Sequence, residues 1–389
     1  MNILLFDIGS YFQPDWVLVL ERMGHHCRNV YYSFREQDVY HNEAFEALFE
    51  REWKEGDYDV VLSSNFFPVI GKCCTAHNVR YIAWCCDSPL NLETYDGYDH
   101  PANAVFFFDR EQYLEHKRAG IDNVYHLPLA VNCDRLASVQ KDPALSCDVS
   151  MLGVLYASTL PVLTSKMTDY DRGYIDAIVK AQSDLYGAWL VDDMLTRELI
   201  DRINAHYKEL SDKAMQITDK QLSYSIATHI THRDRLSLLK LLSARHDVML
   251  CTDKEKMSET ELRLLPQVRI HGRLDYIREM PRLFKTSKIN LNATLRCIRS
   301  GIPLRALDIM GCRGFLLSNY QPELQEYLVP GEECVLYESI PDAVEKAAYY
   351  LAHDGERERI ARAGLARMQQ DFRYEDRIAV MFETAGVEG

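Results

Sequence analysis

Arg305 and Asp308 stand three residues apart, just after the turn Ser300-Gly301-Ile302-Pro303. On a helix that spacing puts both side chains on one face. A carboxylate there can accept the two hydroxyls of a ribose, as acidic residues do in other nucleotide sites. A guanidinium beside it can hold a diphosphate through charge-assisted hydrogen bonds worth about 1.5–3 kcal/mol each. Arg299, in the loop before the helix, is a second cation for the same purpose, and the amino end of the helix adds free N–H groups and a positive dipole. The plain alternative is a surface i,i+3 ion pair, which contributes little. The surrounding sequence favours an anion. Between Arg273 and Arg313 nine basic residues face three acidic ones, a net +6 within a chain of net charge −14. A basic island in an acidic protein is most simply explained by a small anionic ligand. His271-Gly272 ends a strand-like run, where His can donate to a phosphate or a base edge and Gly permits close backbone approach. Asn292 ends the run INLN and is placed for the same region or for a turn.

Other chemistries are disfavoured. Neither GxxxxGK[ST] nor GxGxxG occurs, against a P-loop ATPase or an ordinary dinucleotide site. The overall negative charge disfavours general nucleic-acid binding. Eleven cysteines include the vicinal pairs Cys73-Cys74 and Cys85-Cys86 but no CxxC, which reads as reduced thiols without a zinc site. His229 and His232 are spaced to share a metal on a helix, yet they lack a paired carboxylate nearby in sequence. No metal is expected.

The elements that must position these residues follow from apolar patterning. At 389 residues the chain is long enough for two domains, each with its own core. The start, MNILLFDIGS, lacks a basic leader and reads as a first strand, and no apolar run reaches the roughly 18 residues of a membrane span. A cytoplasmic protein is expected. Strands at Asn2–Phe6, Cys27–Tyr32, Asp59–Ser63, Arg80–Trp84 and Ala104–Phe108 alternate with helices, which predicts a parallel, doubly wound sheet. His126–Asn132 reads as the exit from this domain. A second series begins at Cys147–Leu152, is interrupted by a helical stretch of about 157–244, and resumes with strands at Asp247–Cys251, Val268–His271, Lys288–Leu291 and Phe315–Ser318. Helices are predicted at Tyr276–Thr286, Pro303–Met310, Pro341–His353, Glu356–Gln370 and Tyr374–Thr384. The expected division is 1–132, 133–375 with its helical insertion, and a C-terminal helix over 376–389 able to pack back on the first domain. Two open sheets in one chain imply a cleft, with ligands outside the carboxyl ends of the strands.

Three runs in the last third, VRIHGRLDYIREMP (268–281), INLNATLRCIRSGIPLRALDIMGCRGFLLSN (289–319) and LVPGEECVLY (328–337), resemble the spore-maturation-protein-B-like (CgeB-like) glycosyltransferases. The resemblance runs from about 268 to 375. It is weaker at Trp84–Leu90, Val105–Asp109 and Tyr125–Asn132, and absent from the insertion. It implies a GT-B fold, two Rossmann-like domains facing a cleft, and transfer of a sugar from a nucleotide-sugar donor to a protein, glycan or other surface-structure acceptor. It implies that the donor is a substrate and not a cofactor, and that Arg and helix-dipole groups replace a metal on the leaving diphosphate. It places Asp308 on the ribose, Tyr276 near the nucleobase and Gly153 in a small-residue loop past the phosphates. It assigns the acceptor to the first domain, where the short Gly9-Ser10 loop follows the first strand. Asp87, in WCCDSPL, is there the preferred base to take the acceptor proton, with Asp7 and Asp109 as strand-end alternatives. Asp87 also suits a simple Asp-Ser-Pro turn. A nucleotide-sugar epimerase and a non-catalytic scaffold of the same fold are the competing readings.

Overall fold

The computed structural model describes residues 1–35, 38–90, 92 and 94–387. The chain forms two compact units, one of Met1–Asp134 with Met368–Gly389, the other of Arg135–Arg367.

Unit 1 holds a six-stranded sheet, parallel throughout, of β1 (Asn2–Asp7), β2 (His26–Tyr31), β3 (Val60–Ser64), β4 (Arg80–Cys85), β5 (Asn103–Phe107) and β6 (Val124–His126), in the order β2-β1-β3-β4-β5-β6. Parallel strands bury both faces, so their sequences are continuous apolar runs and not alternations. Leu4, Phe6, Val61 and Tyr81 join Phe45, Phe49 and Ile70 of the flanking helices in one core. The helix Tyr374–Ala385 belongs to this unit. The Tyr374 ring meets Trp84 edge-on at 5.9 Å, and Arg377 Nε donates to the Pro128 carbonyl at 3.0 Å.

Unit 2 holds a second parallel sheet of β7 (Val149–Leu152), β8 (Val248–Cys251), β9 (Arg269–His271), β10 (Ile289–Asn292), β11 (Leu316–Asn319) and β12 (Val335–Tyr337), in the order β12-β11-β10-β7-β8-β9. Between β7 and β8 the chain forms only helices, as its polar, strandless pattern predicts. The last of them, Asp219–Ser243, is about 37 Å long by its 25 residues. Its first half sends Leu222, Ile226 and Ile230 into a separate core with Ile175, Leu199 and Ile203. Its second half sends Leu238, Leu239 and Leu242 onto the sheet. One helix thus joins the insertion to the α/β layer.

One expectation is corrected. The helix predicted over Tyr276–Thr286 starts only at Met280, with Pro281 in its first turn. Ahead of it, the Asp275 carboxylate accepts the Arg278 N–H at 2.7 Å, and Glu279 accepts that of Asp275 at 2.7 Å, closing a turn that contains Tyr276. Just before the segment read as the exit from the first domain, the chain forms β6, an edge strand of three residues ending at His126. All eleven cysteines are free thiols. Among the described residues no helix is long and apolar enough to cross a membrane.

Candidate functional site

The residues singled out in unit 2 gather at the carboxyl ends of its strands. Gly153, directly after β7, has φ +148°, a conformation L side chains rarely adopt, and an added Cβ would lie 3.2 Å from Arg235 Nη1. Its N–H donates to the Cys251 carbonyl at 3.0 Å, tying the loop to β8. Backbone and packing both select glycine here.

Arg235 was not legible as a site residue in the sequence. It lies in the second half of the long helix and is 8% exposed. Its Nε donates to the Ala293 carbonyl at 3.1 Å, Nη2 donates to the same oxygen, and Nη1 donates to the Val154 carbonyl. Its guanidinium carbon lies 4.8 Å from the centre of the Tyr156 ring. No carboxylate forms an ion pair with it among the described residues. Burial holds its pKa below the ordinary arginine value, yet a guanidinium stays protonated at neutral pH. A buried cation satisfied only by carbonyls carries a desolvation cost that an anion would offset. Arg235 reaches the loops after both β7 and β10.

Asp308 sits in the helix Leu304–Gly311 and is 1% exposed. Its Oδ1 accepts the Tyr276 hydroxyl at 2.8 Å, and Oδ2 lies 3.5 Å from Arg305 Nη1. Arg305 also contacts Met280 Sδ at 2.8 Å and lies 5.6 Å from the Phe284 ring centre. The Arg135 guanidinium lies 5.3 Å from the centre of the Tyr276 ring. The expected helical pair is therefore a triad of Tyr276, Asp308 and Arg305. His271 is exposed, with Nδ1 3.1 Å from the Gly272 carbonyl oxygen. A Cβ on Gly272 would meet nothing within 4 Å, so no protein neighbour requires glycine there. Asn292 is buried, and its amide donates to Thr294 Oγ1 at 3.0 Å and Ser318 Oγ at 2.9 Å, building the loop after β10.

The basic stretch has internal counter-ions. Lys288 pairs with Asp148 at 2.8 Å, Arg296 with Asp234 at 2.7 Å and Arg299 with Asp192; Arg273 lies 3.9 Å from Asp253 and Arg282 4.0 Å from Asp142. Those five carboxylates lie outside residues 273–313 in sequence. Arg296 also donates to the carbonyls of Leu185 and Ser183 and stacks 3.7 Å from the Tyr186 ring centre. Arg296 and Arg299 thereby fasten the insertion to the loop after β10. Most of the charge excess is balanced within the protein, and among the described residues the buried arginine without a carboxylate ion pair is Arg235, from another segment, whereas the buried Arg296 and Arg357 have one each.

In unit 1 the loops after β1, β3 and β4 meet. Gly9 has φ +86° and donates its N–H to the Asp7 carboxylate at 2.8 Å. Ser10 Oγ donates to Ser64 Oγ at 2.7 Å and lies 3.8 Å from Cys86 Sγ. Asn65, in the left-handed region at φ +63°, clamps the neighbouring loop. Its Oδ1 accepts the N–H groups of Cys86 at 2.9 Å and Asp87 at 3.2 Å, and its Nδ2 donates to Asp87 Oδ2 at 2.6 Å. Asp87 is exposed. Asp109, by contrast, is fully buried, accepting from Ser88 Oγ and capping the helix Arg110–Arg118. Asn65 was missed because an Asn after a strand reads as a turn-former.

Residues 237–383 match the model of a family described as glycosyl transferase-like. No curated protein matches the chain. Sucrose-phosphate synthase from Thermosynechococcus elongatus is similar in structure, with a TM-score of 0.59 at 10% identity over 98% of each chain. A glycosyltransferase from Rickettsia africae ESF-5 aligns with a TM-score of 0.58 at 10% identity, again over 98% of each. Anabaena Alr3699/HepE, solved in complex with UDP-glucose, aligns with a TM-score of 0.53 at 10% identity over 99% of each. At such identities the likeness is one of fold: two six-stranded parallel sheets with covering helices, the α/β architecture of GT-B glycosyltransferases, with a glycosyl transferase-like segment over residues 237–383.

Proposed function

We propose that the protein is a nucleotide-sugar-dependent glycosyltransferase with its donor site at the strand ends of unit 2. The observation that carries this reading is Arg235, a buried guanidinium under the Gly153 loop whose hydrogen-bond partners are all carbonyls. In the reading, Arg235 and Arg305 hold the diphosphate and take up the charge that develops as it leaves, without a metal. Asp308 exchanges the Tyr276 hydroxyl for a ribose hydroxyl, and His271 and Tyr276 border the base. Arg299 serves the donor through its loop, while held by Asp192. UDP-sugars are the first donors to try, since the similar Anabaena protein was solved with UDP-glucose. The acceptor, a protein, glycan or other surface structure, is assigned to unit 1. There Asp87, held by Asn65, takes the proton from the attacking hydroxyl as the bond to the sugar's anomeric carbon forms and the nucleoside diphosphate departs. The runs shared with the spore-maturation-protein-B-like enzymes support placing the chain in that subfamily.

The test is thermal stabilisation and donor hydrolysis with UDP-, GDP-, dTDP- and CMP-sugars. At least one should stabilise the protein, and Asp308→Ala should abolish that effect while the fold persists. Absence of any response across the four nucleotides overturns the reading. Conversion of the donor to an epimer without acceptor would replace it with epimerase chemistry.

A further inference from the structure

The helical insertion carries a cavity of about 630 Å3, bounded by the helices Leu160–Thr164, Asp169–Ser183 and Asp219–Ser243. That volume lies within the roughly 300–1,000 Å3 typical of small-molecule sites. None of Gly153, Arg235, Arg305 or Asp308 lines it. Its floor is apolar, formed by the buried Leu160 and Val179. Its walls carry two carboxylates, Asp176 and Asp184, and two cations, Lys180 and Arg233, all exposed. Asp176, Lys180 and Asp184 follow one another at four-residue intervals, the spacing at which helical ion pairs form. Among the described residues none of these four makes an ion pair within 4.0 Å. His229 completes the wall, with Nδ1 3.0 Å from Ser158 Oγ. Burial and the nearby Arg233 and His232 hold its pKa below the ordinary value, so at neutral pH it presents one donor and one acceptor.

The composition of this wall selects a ligand. Two carboxylates against two cations leave no net charge to recruit an anion. Apart from the His229 imidazole, no aromatic side chain lines the cavity to stack a base. The walls are helices, which offer no strand edge to an extended peptide, and their charged rim is unlike the apolar groove that takes an amphipathic helix. Carboxylate acceptors beside ammonium and guanidinium donors, over an aliphatic floor, suit a molecule whose every polar group both donates and accepts and whose ring face is C–H. We propose that this cavity binds a neutral saccharide, as a site separate from the one that holds the donor. The proposal does not depend on the donor reading, because the two sites share no residue. It gives the insertion a role that its sequence, without motifs, does not announce.

The experiment measures binding of maltose, cellobiose, lactose and N,N′-diacetylchitobiose to the full-length protein, by saturation-transfer NMR and calorimetry. At least one should bind with a dissociation constant on the order of 1 mM or tighter. Asp176→Asn and Arg233→Ala, both exposed and so compatible with folding, should each weaken that binding about tenfold or more. Asp308→Ala should leave it unchanged. Failure of all four disaccharides to bind overturns the proposal. So does binding unaffected by the two cavity variants but lost in Asp308→Ala, which would put the sugar in the donor site. Tighter binding of inorganic phosphate than of any disaccharide, dependent on Arg233, would also overturn it by making this an anion site. Loss of nucleotide-sugar binding alone would defeat the donor reading and leave this one standing.

Discussion

Replacing Arg235 by Met keeps a side chain of similar girth and removes the guanidinium. In the free protein two effects oppose. The Ala293 and Val154 carbonyls lose their donors, at about 1–3 kcal/mol for each acceptor left buried and unpaired. Against this, the desolvation of an unpaired charge disappears, a relief of several kcal/mol. The stability of the free protein should therefore move by no more than a few kcal/mol. If the proposed donor site holds, the balance differs once the donor is bound, because its diphosphate would supply a counter-ion to Arg235. Loss of one charge-assisted hydrogen bond costs about 1.5–3 kcal/mol, roughly tenfold to a hundredfold in Kd. A forked contact made by two guanidinium nitrogens would lose more. The assay is calorimetric titration with UDP and UDP-glucose, alongside thermal unfolding of the free variant. Arg235→Lys should fall between, since it keeps the charge and loses the planar fork. An unchanged Kd for UDP in Arg235→Met, or in Arg235→Lys should the Met variant fail to fold, refutes the assignment of Arg235 to the diphosphate.

Three further outcomes are expected. Gly153→Ala forces a residue with a side chain into φ +148° with its Cβ 3.2 Å from Arg235; it should cost about 1–3 kcal/mol, seen as a lowered Tm, and an unaltered Tm would show that the loop relaxes freely. Asn65→Gly keeps access to φ +63° and deletes the clamp on Cys86 and Asp87; it should lower kcat with UDP affinity intact, whereas Asn65→Ala should add about 1–2 kcal/mol of backbone strain. Full turnover by the Gly variant would remove Asp87 from consideration as a positioned base. His229 has a depressed pKa, with burial as the largest cause, so the unfolded chain binds its proton more readily than the folded one. Its contribution is intact above the unfolded value of about 6.5 and is lost as pH falls below it. The difference in stability between the wild type and His229→Gln should change across that window, and a flat difference curve would contradict the shift.

Much of the fold is legible because strands buried on both faces write themselves as short, dense apolar runs. NILLF, DVVLS and INLN need no partner to be recognised, and the structure finds each in a central strand. Of the three edge strands of three residues, Arg269–His271 is legible from the sequence, while Val124–His126 and Val335–Tyr337 are too short to show a pattern of their own. The start of the helix before Thr286 was misplaced for a different reason. The apolar spacing of Tyr276, Ile277, Met280 and Phe284 is helical, but Asp275 and Glu279 use their carboxylates to close a turn first. Competition between side-chain and backbone acceptors has no signature in periodicity.

The candidate site was harder to read because a charge count records neither depth nor partner. Residues 273–313 look like a ligand site when their charges are summed. In three dimensions Asp148, Asp192 and Asp234, distant in sequence, neutralise Lys288, Arg299 and Arg296. Arg235 shows the converse. In HRDRLSLLK it is one of several cations on a polar helix, and its immediate neighbour Asp234 is an obvious candidate partner. The helix turns Asp234 toward Arg296 and Arg235 toward Ala293 and Val154, so adjacent residues enter different networks. What distinguishes Arg235 is burial without a carboxylate, a property of the folded chain alone. That is why the donor reading now rests less on the density of basic residues and more on one guanidinium whose charge the protein leaves unpaired.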